Sequence, residues 1–232
     1  KVVGGCTEEC TEVAAALYEN VLEGEIHRVS SPAVAEMEKI LENTFRNINI
    51  GLANEMAILC SRMGIDVWEV IDAAKTKPYG FMPFYPGPGL GGHCIPLDPF
   101  YLEWKAKEYD YHTKLIETSG IINDSMPEFV LENVMKILNK NKKALNGAKV
   151  LVMGLAYKND IDDYRESPSF KVIELLEKNG AEVIVNDPHC ATAKYKGKIY
   201  TSVNWEDVID TADLVLITTA HSAYAYEEIA ER

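Results

Sequence analysis

Residues 147–188 read GAKVLVMGLAYKNDIDDYRESPSFKVIELLEKNGAEVIVNDP, and this stretch decides the fold. An apolar run, AKVLVMGLA, leads into a polar loop. Ser167-Pro168 then opens an amphipathic segment that stops at Gly180, and a second apolar run, AEVIVNDP, follows. Apolar runs of strand length alternating with an amphipathic helix predict βαβ units, a parallel sheet and right-handed crossovers. A third run, ADLVLITTA at 212–220, extends the sheet. Working outward, Asn146-Gly147 is a turn, and the composition changes character near residues 140–147.

Upstream the periodicity is helical. Ser31-Pro32 reads as an N-cap with proline at the first helical position, and Gly64 as a C-terminal stop. Between them Val34, Met37, Leu41, Phe45, Ile48, Leu52, Met56, Leu59 and Met63 step by three or four, the stripe of one long helix. At about 1.5 Å per residue it runs roughly 45 Å, which suits a spine that joins domains or packs across a dimer. Asp66 with Glu69 resembles a capping box opening a second helix, WEVIDAAK. Residues 78–99 hold six prolines and five glycines, so the segment is an irregular loop, and its length suits a functional one. From Pro99 to about Leu138 the chain reads as helical again, broken near Ser125-Met126-Pro127.

With 47% apolar and 25% charged residues the composition is that of a globular protein, and no apolar run approaches the ~20 residues of a membrane span. A net charge of −13 opposes nucleic-acid binding. Cys6, Cys10, Cys60, Cys94 and Cys190 form no paired spacing, so neither a disulfide framework nor a metal site is expected, and the cytoplasm is the natural compartment. The opening KVVGGCTEEC is not a signal peptide and reads like the middle of a domain.

Gly87, Gly89, Gly91 and Gly92 echo a nucleotide loop, but a dinucleotide fingerprint follows a strand and opens a helix, whereas proline-rich sequence flanks these glycines. They suit close approach of backbone to a ligand. The same loop carries Cys94, with Asp98 four residues on; a thiol among glycines has the accessible, polar setting a thiolate needs. A loop cysteine of no consequence is the bland alternative. Lys39 and Asn43 share a helix face at i and i+4 and could stabilise an oxyanion, although their row, with Glu36, Asn47 and Glu55, also reads as a solvated polar face. In the sheet region, Lys158 and Arg165 lie where a strand end meets a helix N-terminus and are candidate phosphate partners. Asp187 stands at a ribose-binding position, or simply forms an Asp-Pro turn.

Lys39-x3-Asn43, GPGLGGHCIPLDP and GLAYKNDIDDYRESPS together, in this order, resemble the UDP-glucose/GDP-mannose dehydrogenase family in its central and C-terminal domains. The resemblance implies residues 1–30 as the end of an N-terminal NAD-binding domain, 31–143 as a helical central domain and 144–232 as a Rossmann-like UDP-binding domain. The fold class is then α/β, with dimerisation through the long helix at 31–63. The implied reaction is oxidation of the C6 hydroxyl of a UDP-sugar, with two NAD consumed per turnover. The 78–108 segment is most similar to the branch acting on UDP-N-acetylhexosamines, with UDP-N-acetylglucosamine favoured over the manno epimer.

Carried over, Cys94 is the nucleophile, Lys39 and Asn43 hold the C6 oxygen, and Asp98 positions or activates water. The loop from Tyr85 through Gly89 to Gly91 lines the sugar, Tyr157 and Lys158 meet the nucleotide-sugar, and Arg165 reaches NAD. Lys75 or Lys77 stands where some relatives place an arginine that enters a partner subunit, but without its bidentate reach. The main NAD domain and a C-terminal stretch are expected to lie outside these residues, so the chain alone is expected to be inactive. The alternatives are a UDP-glucose enzyme or a non-catalytic UDP-sugar-binding and dimerisation module. A thiol hydrolase using Cys94 with His93 or His112 lacks a third group to orient the base.

Overall fold

The structure is a computed structural model describing residues 1–232. In chain order its elements are β1 (Val2–Val3), α1 (Glu8–Glu19), β2 (His27–Arg28), α2 (Pro32–Met63), α3 (Val67–Ala74), α4 (Asp98–Ala106), α5 (Lys114–Lys140), β3 (Lys149–Met153), α6 (Ser169–Lys178), β4 (Glu182–Asn186), β5 (Thr192–Tyr195), β6 (Lys198–Thr201), β7 (Leu214–Ile217) and α7 (Tyr226–Glu231). β1 and β2 pair in parallel beside α1, and β3, β4 and β7 form a parallel sheet in the order β4-β3-β7. β5 and β6 are a separate antiparallel hairpin that the sequence reading did not foresee.

The caps of α2 are as expected. Ser31 accepts from the Val34 amide, proline follows it, and Gly64 ends the helix at φ +70. The stripe, however, faces outward. Val34, Met37, Phe45, Met56 and Leu59 are exposed, as are Leu41 at 64%, Leu52 at 56% and Met63 at 61%. The buried face carries Asn43, Thr44, Asn47, Gly51, Ala53, Asn54, Ala57 and Cys60. Small and amide side chains let α5 lie close: a Cβ on Gly51 would stand 3.1 Å from the Ser119 Cβ.

The helical break expected at Ser125–Pro127 lies instead at 107–113, where a short 3-10 turn ends in Asp110 at φ +54. Pro127 sits inside α5, where packing against α2 and the sheet outweighs the ~3 kcal/mol a helix-interior proline costs. α5 serves two cores. Ser119 and Asn123 face α2, while Val134 and Leu138 join Val150, Val152, Phe170, Val172, Ile173 and Leu176 in the core of the sheet. Full burial of side chains this size stabilises by about 1.5–3 kcal/mol each. No helix is long and apolar enough to cross a membrane.

Candidate functional site

The cysteine loop is fastened to one face of α2. Asn43 Nδ2 donates to Asp98 Oδ2 at 2.6 Å, and its Oδ1 accepts from Arg46 at 3.3 Å, which fixes the amide orientation. The Cys94 carbonyl accepts the Leu97 and Asp98 amides at 3.0 and 2.8 Å, so the thiol stands on the turn that starts α4. Cys94 and His93 are exposed, whereas Cys60 and Cys190 are buried. Burial pushes the Cys190 thiol up to about 12, and its Sγ donates to the Asp162 carbonyl. Lys39 is exposed and paired with Glu42 at 3.0 Å. An exposed pair of this kind is worth about 0–1 kcal/mol, so Lys39 is readily released toward an anion.

Asn43 and Asn47 therefore do not lie on a solvated face, although Glu36 and Glu55 do. Asn47 Nδ2 donates to the Ile95 carbonyl at 3.1 Å, and Asn54 Oδ1 accepts the Gly87 amide at 2.9 Å. These two residues were not singled out for a role by the sequence; asparagines recurring at 43, 47 and 54 on one helix face were the available signal.

The glycines meet the sheet half. A Cβ on Gly91 would stand 2.7 Å from Tyr157 Cβ and 2.9 Å from Pro168 Cδ, and Gly92, at φ +89, lies against the Tyr157 ring. A cleft of about 1040 Å³ runs along this junction, walled by Tyr85, Gly87, Gly89, Tyr157, Pro168 and the segment after β7. It opens at the carboxyl ends of β3 and β7, where open parallel sheets bind ligands. Trp68 stacks on Tyr85 with ring centroids 5.6 Å apart, making an aromatic wall. Lys75 pairs with Asp72 at 2.6 Å. Lys158 is exposed beside Tyr157. Arg165 is exposed and borders a second cavity, of about 390 Å³, that shares Gly89 and Pro168 with the cleft. Its guanidinium grips Asp163 and holds that carboxyl down to about 2.

Asp187 is not a ribose ligand. Its Oδ2 accepts the Leu155 and Ala156 amides at 2.6 and 3.0 Å, and its Oδ1 those of His189 and Cys190 at 2.8 and 2.9 Å. Burial alone would raise its pKa; the backbone donors outweigh that and hold it below the usual carboxylate range. The first turn after β3 thus has its amides covered by a protein carboxylate, and this turn does not fit the pyrophosphate of a dinucleotide such as NAD.

Asp160, His189 and His221 bring three ligand-type atoms within 4.8 Å of one another. His221 Nδ1 accepts the Asp160 amide at 3.0 Å, so Nε2 carries the proton and donates to Asp187 at 3.0 Å. Neither ring nitrogen has a lone pair left for a metal.

Residues 33–125 match the central domain, and residues 151–232 the UDP binding domain, of the UDP-glucose/GDP-mannose dehydrogenase family. UDP-N-acetyl-D-mannosamine dehydrogenase of Methanocaldococcus jannaschii is 38% identical over 224 residues, covering 97% of this chain and 49% of its own length. UDP-N-acetyl-D-glucosamine 6-dehydrogenase of Pseudomonas aeruginosa is 41% identical over 188 residues, covering 81% of this chain and 44% of its own. The solved UDP-D-ManNAc dehydrogenase of Pyrococcus horikoshii superposes with a TM-score of 0.85 at 34% identity, over 99% of this chain and 53% of that one. The chain spans about half the length of the curated relatives it matches.

Proposed function

Because this chain belongs to the UDP-glucose/GDP-mannose dehydrogenase family, through its central and UDP-binding domains, we propose that it carries the substrate pocket and thiol of a UDP-N-acetylhexosamine 6-dehydrogenase. The observation that carries the reading is the 2.6 Å bond from Asn43 to Asp98, which locks a long-helix amide and a carboxylate together at the base of the turn bearing an exposed Cys94. A passive binding module has no use for that constellation.

Two molecules of NAD, the family's oxidant, would each take one hydride per turnover, the first giving the aldehyde and the second the thioester; the turn after β3 does not fit NAD, and of this chain's residues Arg165 would reach it. The chain's own residues hold the sugar and manage its carbonyl carbon. Tyr85, Gly89, Gly91, Tyr157 and Lys158 line or flank the cleft and take the nucleotide-sugar. The Cys94 thiolate adds to the C6 aldehyde, forming a C–S bond while the carbonyl electron pair moves onto oxygen. The second Nδ2 proton of Asn43, free of Asp98, and the Lys39 ammonium stabilise that oxygen. At the thioester stage Asp98 takes a proton from water, which adds to the carbonyl carbon, and the thiolate leaves. This covalent hold keeps the aldehyde from escaping between the two oxidations.

The outward apolar stripe of α2 supports a homodimer built on that helix. The sequence favours the gluco epimer, whereas several relatives carry mannosamine in their names. Calorimetric titration with both UDP-N-acetylhexosamines, UDP-glucose, UDP and NAD tests the reading. UDP compounds are expected to bind without NAD, with preference for an acetamido sugar; binding of NAD alone would overturn the assignment.

A further inference from the structure

A chain of buried amides runs behind the cysteine loop. Asn54 Oδ1 accepts the Gly87 amide, and Asn54 Nδ2 donates to Asn123 Oδ1 at 2.9 Å. Asn123 Nδ2 donates to the Asn47 carbonyl at 3.2 Å, and Asn47 Nδ2 donates to the Ile95 carbonyl at 3.1 Å. Ser119 Oγ donates to Asn47 Oδ1. All four side chains are almost fully buried.

The orientations follow from the ends. The Gly87 amide can only donate, so Asn54 must turn its oxygen there and its Nδ2 toward Asn123. Asn123 must then turn its oxygen to Asn54 and its Nδ2 to the Asn47 carbonyl, which can only accept. The Ile95 carbonyl likewise can only accept, so Asn47 must present Nδ2 to it. Asn43, Asn47 and Asn54 differ by four and seven positions, which keeps them on one helix face over roughly 16 Å. α2 thereby pins the loop at Gly87, Ile95 and Asp98, and Cys94 lies between those pins.

We propose that Asn47 is a positioning residue for the Cys94 thiol, holding the backbone next to it through the Ile95 carbonyl, with Asn54 and Asn123 fixing the loop's other end. The inference deepens the reading of Cys94 as the nucleophile and rests on it. Its test needs neither NAD nor a sugar. Cys94 alkylation by iodoacetamide is followed by peptide mass mapping, with the exposed Cys6 and Cys10 as references in the same molecule.

Asn47→Asp keeps an acceptor for Ser119 but loses the donor to Ile95. Ser119→Ala deletes a buried hydrogen bond of the same network but leaves the Ile95 anchor. We expect Asn47→Asp to raise the Cys94 rate at least about five-fold relative to Cys6, and Ser119→Ala to stay within about two-fold. Equal effects of the two variants, or no change in Asn47→Asp, would overturn the proposal, since a merely structural bond would move both alike. If Asn47→Asp fails to fold by circular dichroism, Asn47→Ser removes the donor's reach without burying a charge and is judged by the same ratios. In the full-length enzyme, with its NAD-binding domain present, a Cys94→Ala variant with unchanged turnover would sink the nucleophile reading and leave these rates intact, so the two failures are distinguishable.

Discussion

Replacing Asp187 by Asn keeps the shape of the side chain and removes one acceptor oxygen. In the native protein the two oxygens accept four backbone amides and the His221 ring. Whichever way the new amide turns, its NH2 faces at least two N–H donors, either Leu155 and Ala156 or His189 and Cys190. Each buried donor left without an acceptor costs about 1–3 kcal/mol, so the loss is about 2–6 kcal/mol. For a chain of this size melting as one unit, roughly 2–4 °C per kcal/mol gives a fall of about 4–24 °C in its melting temperature. Because the folded pKa of Asp187 is depressed, its contribution is present in full above the ordinary carboxylate range and is lost as pH falls through the depressed value. Calorimetry at pH 7 therefore reads the whole effect. Cys190, whose amide Asp187 holds, should become open to alkylation as well. A melting temperature within 2 °C of the native protein, with Cys190 still protected, would refute the claim that this carboxylate organises the turn.

Other outcomes follow from the same geometry. Gly91→Ala places a methyl against Tyr157 and Pro168 and should weaken UDP-sugar binding at least ten-fold by calorimetry while the sheet half melts normally. Leu41→Glu with Leu52→Glu puts charge on the outward stripe of α2, and sedimentation should shift to the monomer mass; a native dimer in this variant would remove that helix from the interface. Asp163, held by Arg165, should titrate near 2 by carboxyl NMR. Its depressed folded pKa makes the stabilisation complete above the ordinary value of 3.8 and lost as pH falls through about 2, and Arg165→Lys should raise that midpoint.

Much of the fold was legible because local chemistry and global packing agree. Ser31-Pro32 and Gly64 bound α2, and the runs around Val150, Val183 and Leu214 became the parallel strands. The buried side of α2 was not legible. Periodicity places apolar residues inward, but the side-chain amides at 43, 47 and 54 reach partners 33–72 residues away in sequence, and pattern alone cannot see such partners. The hairpin at 192–201 did leave a signal: Lys196-Gly197, both with positive φ, make a two-residue turn between paired strands. At the site, Cys94 stood out by its setting among glycines, whereas Asn43 and Asp98 took their roles from the family resemblance; Asn43 bonds Asp98 at the turn that carries Cys94, and Lys39 stays paired with Glu42. Asp187 was ambiguous because its acceptors' partners lie in the turn after another strand.

Proline at 127 gives α5 one missing rung, since it has no N–H to offer the carbonyl of Asn123. That residue's side chain anchors the amide relay on one side, while Val134 and Leu138, about two and three turns beyond the proline, are rooted in the sheet. A rod is weakest where its lattice lacks a rung, so the softest point of α5 lies between the relay and the root. The three pins on the cysteine loop, at Gly87, Ile95 and Asp98, all come from α2 and so sit on the relay's side of that gap: the bench on which the thiol is mounted is the long helix, not the sheet.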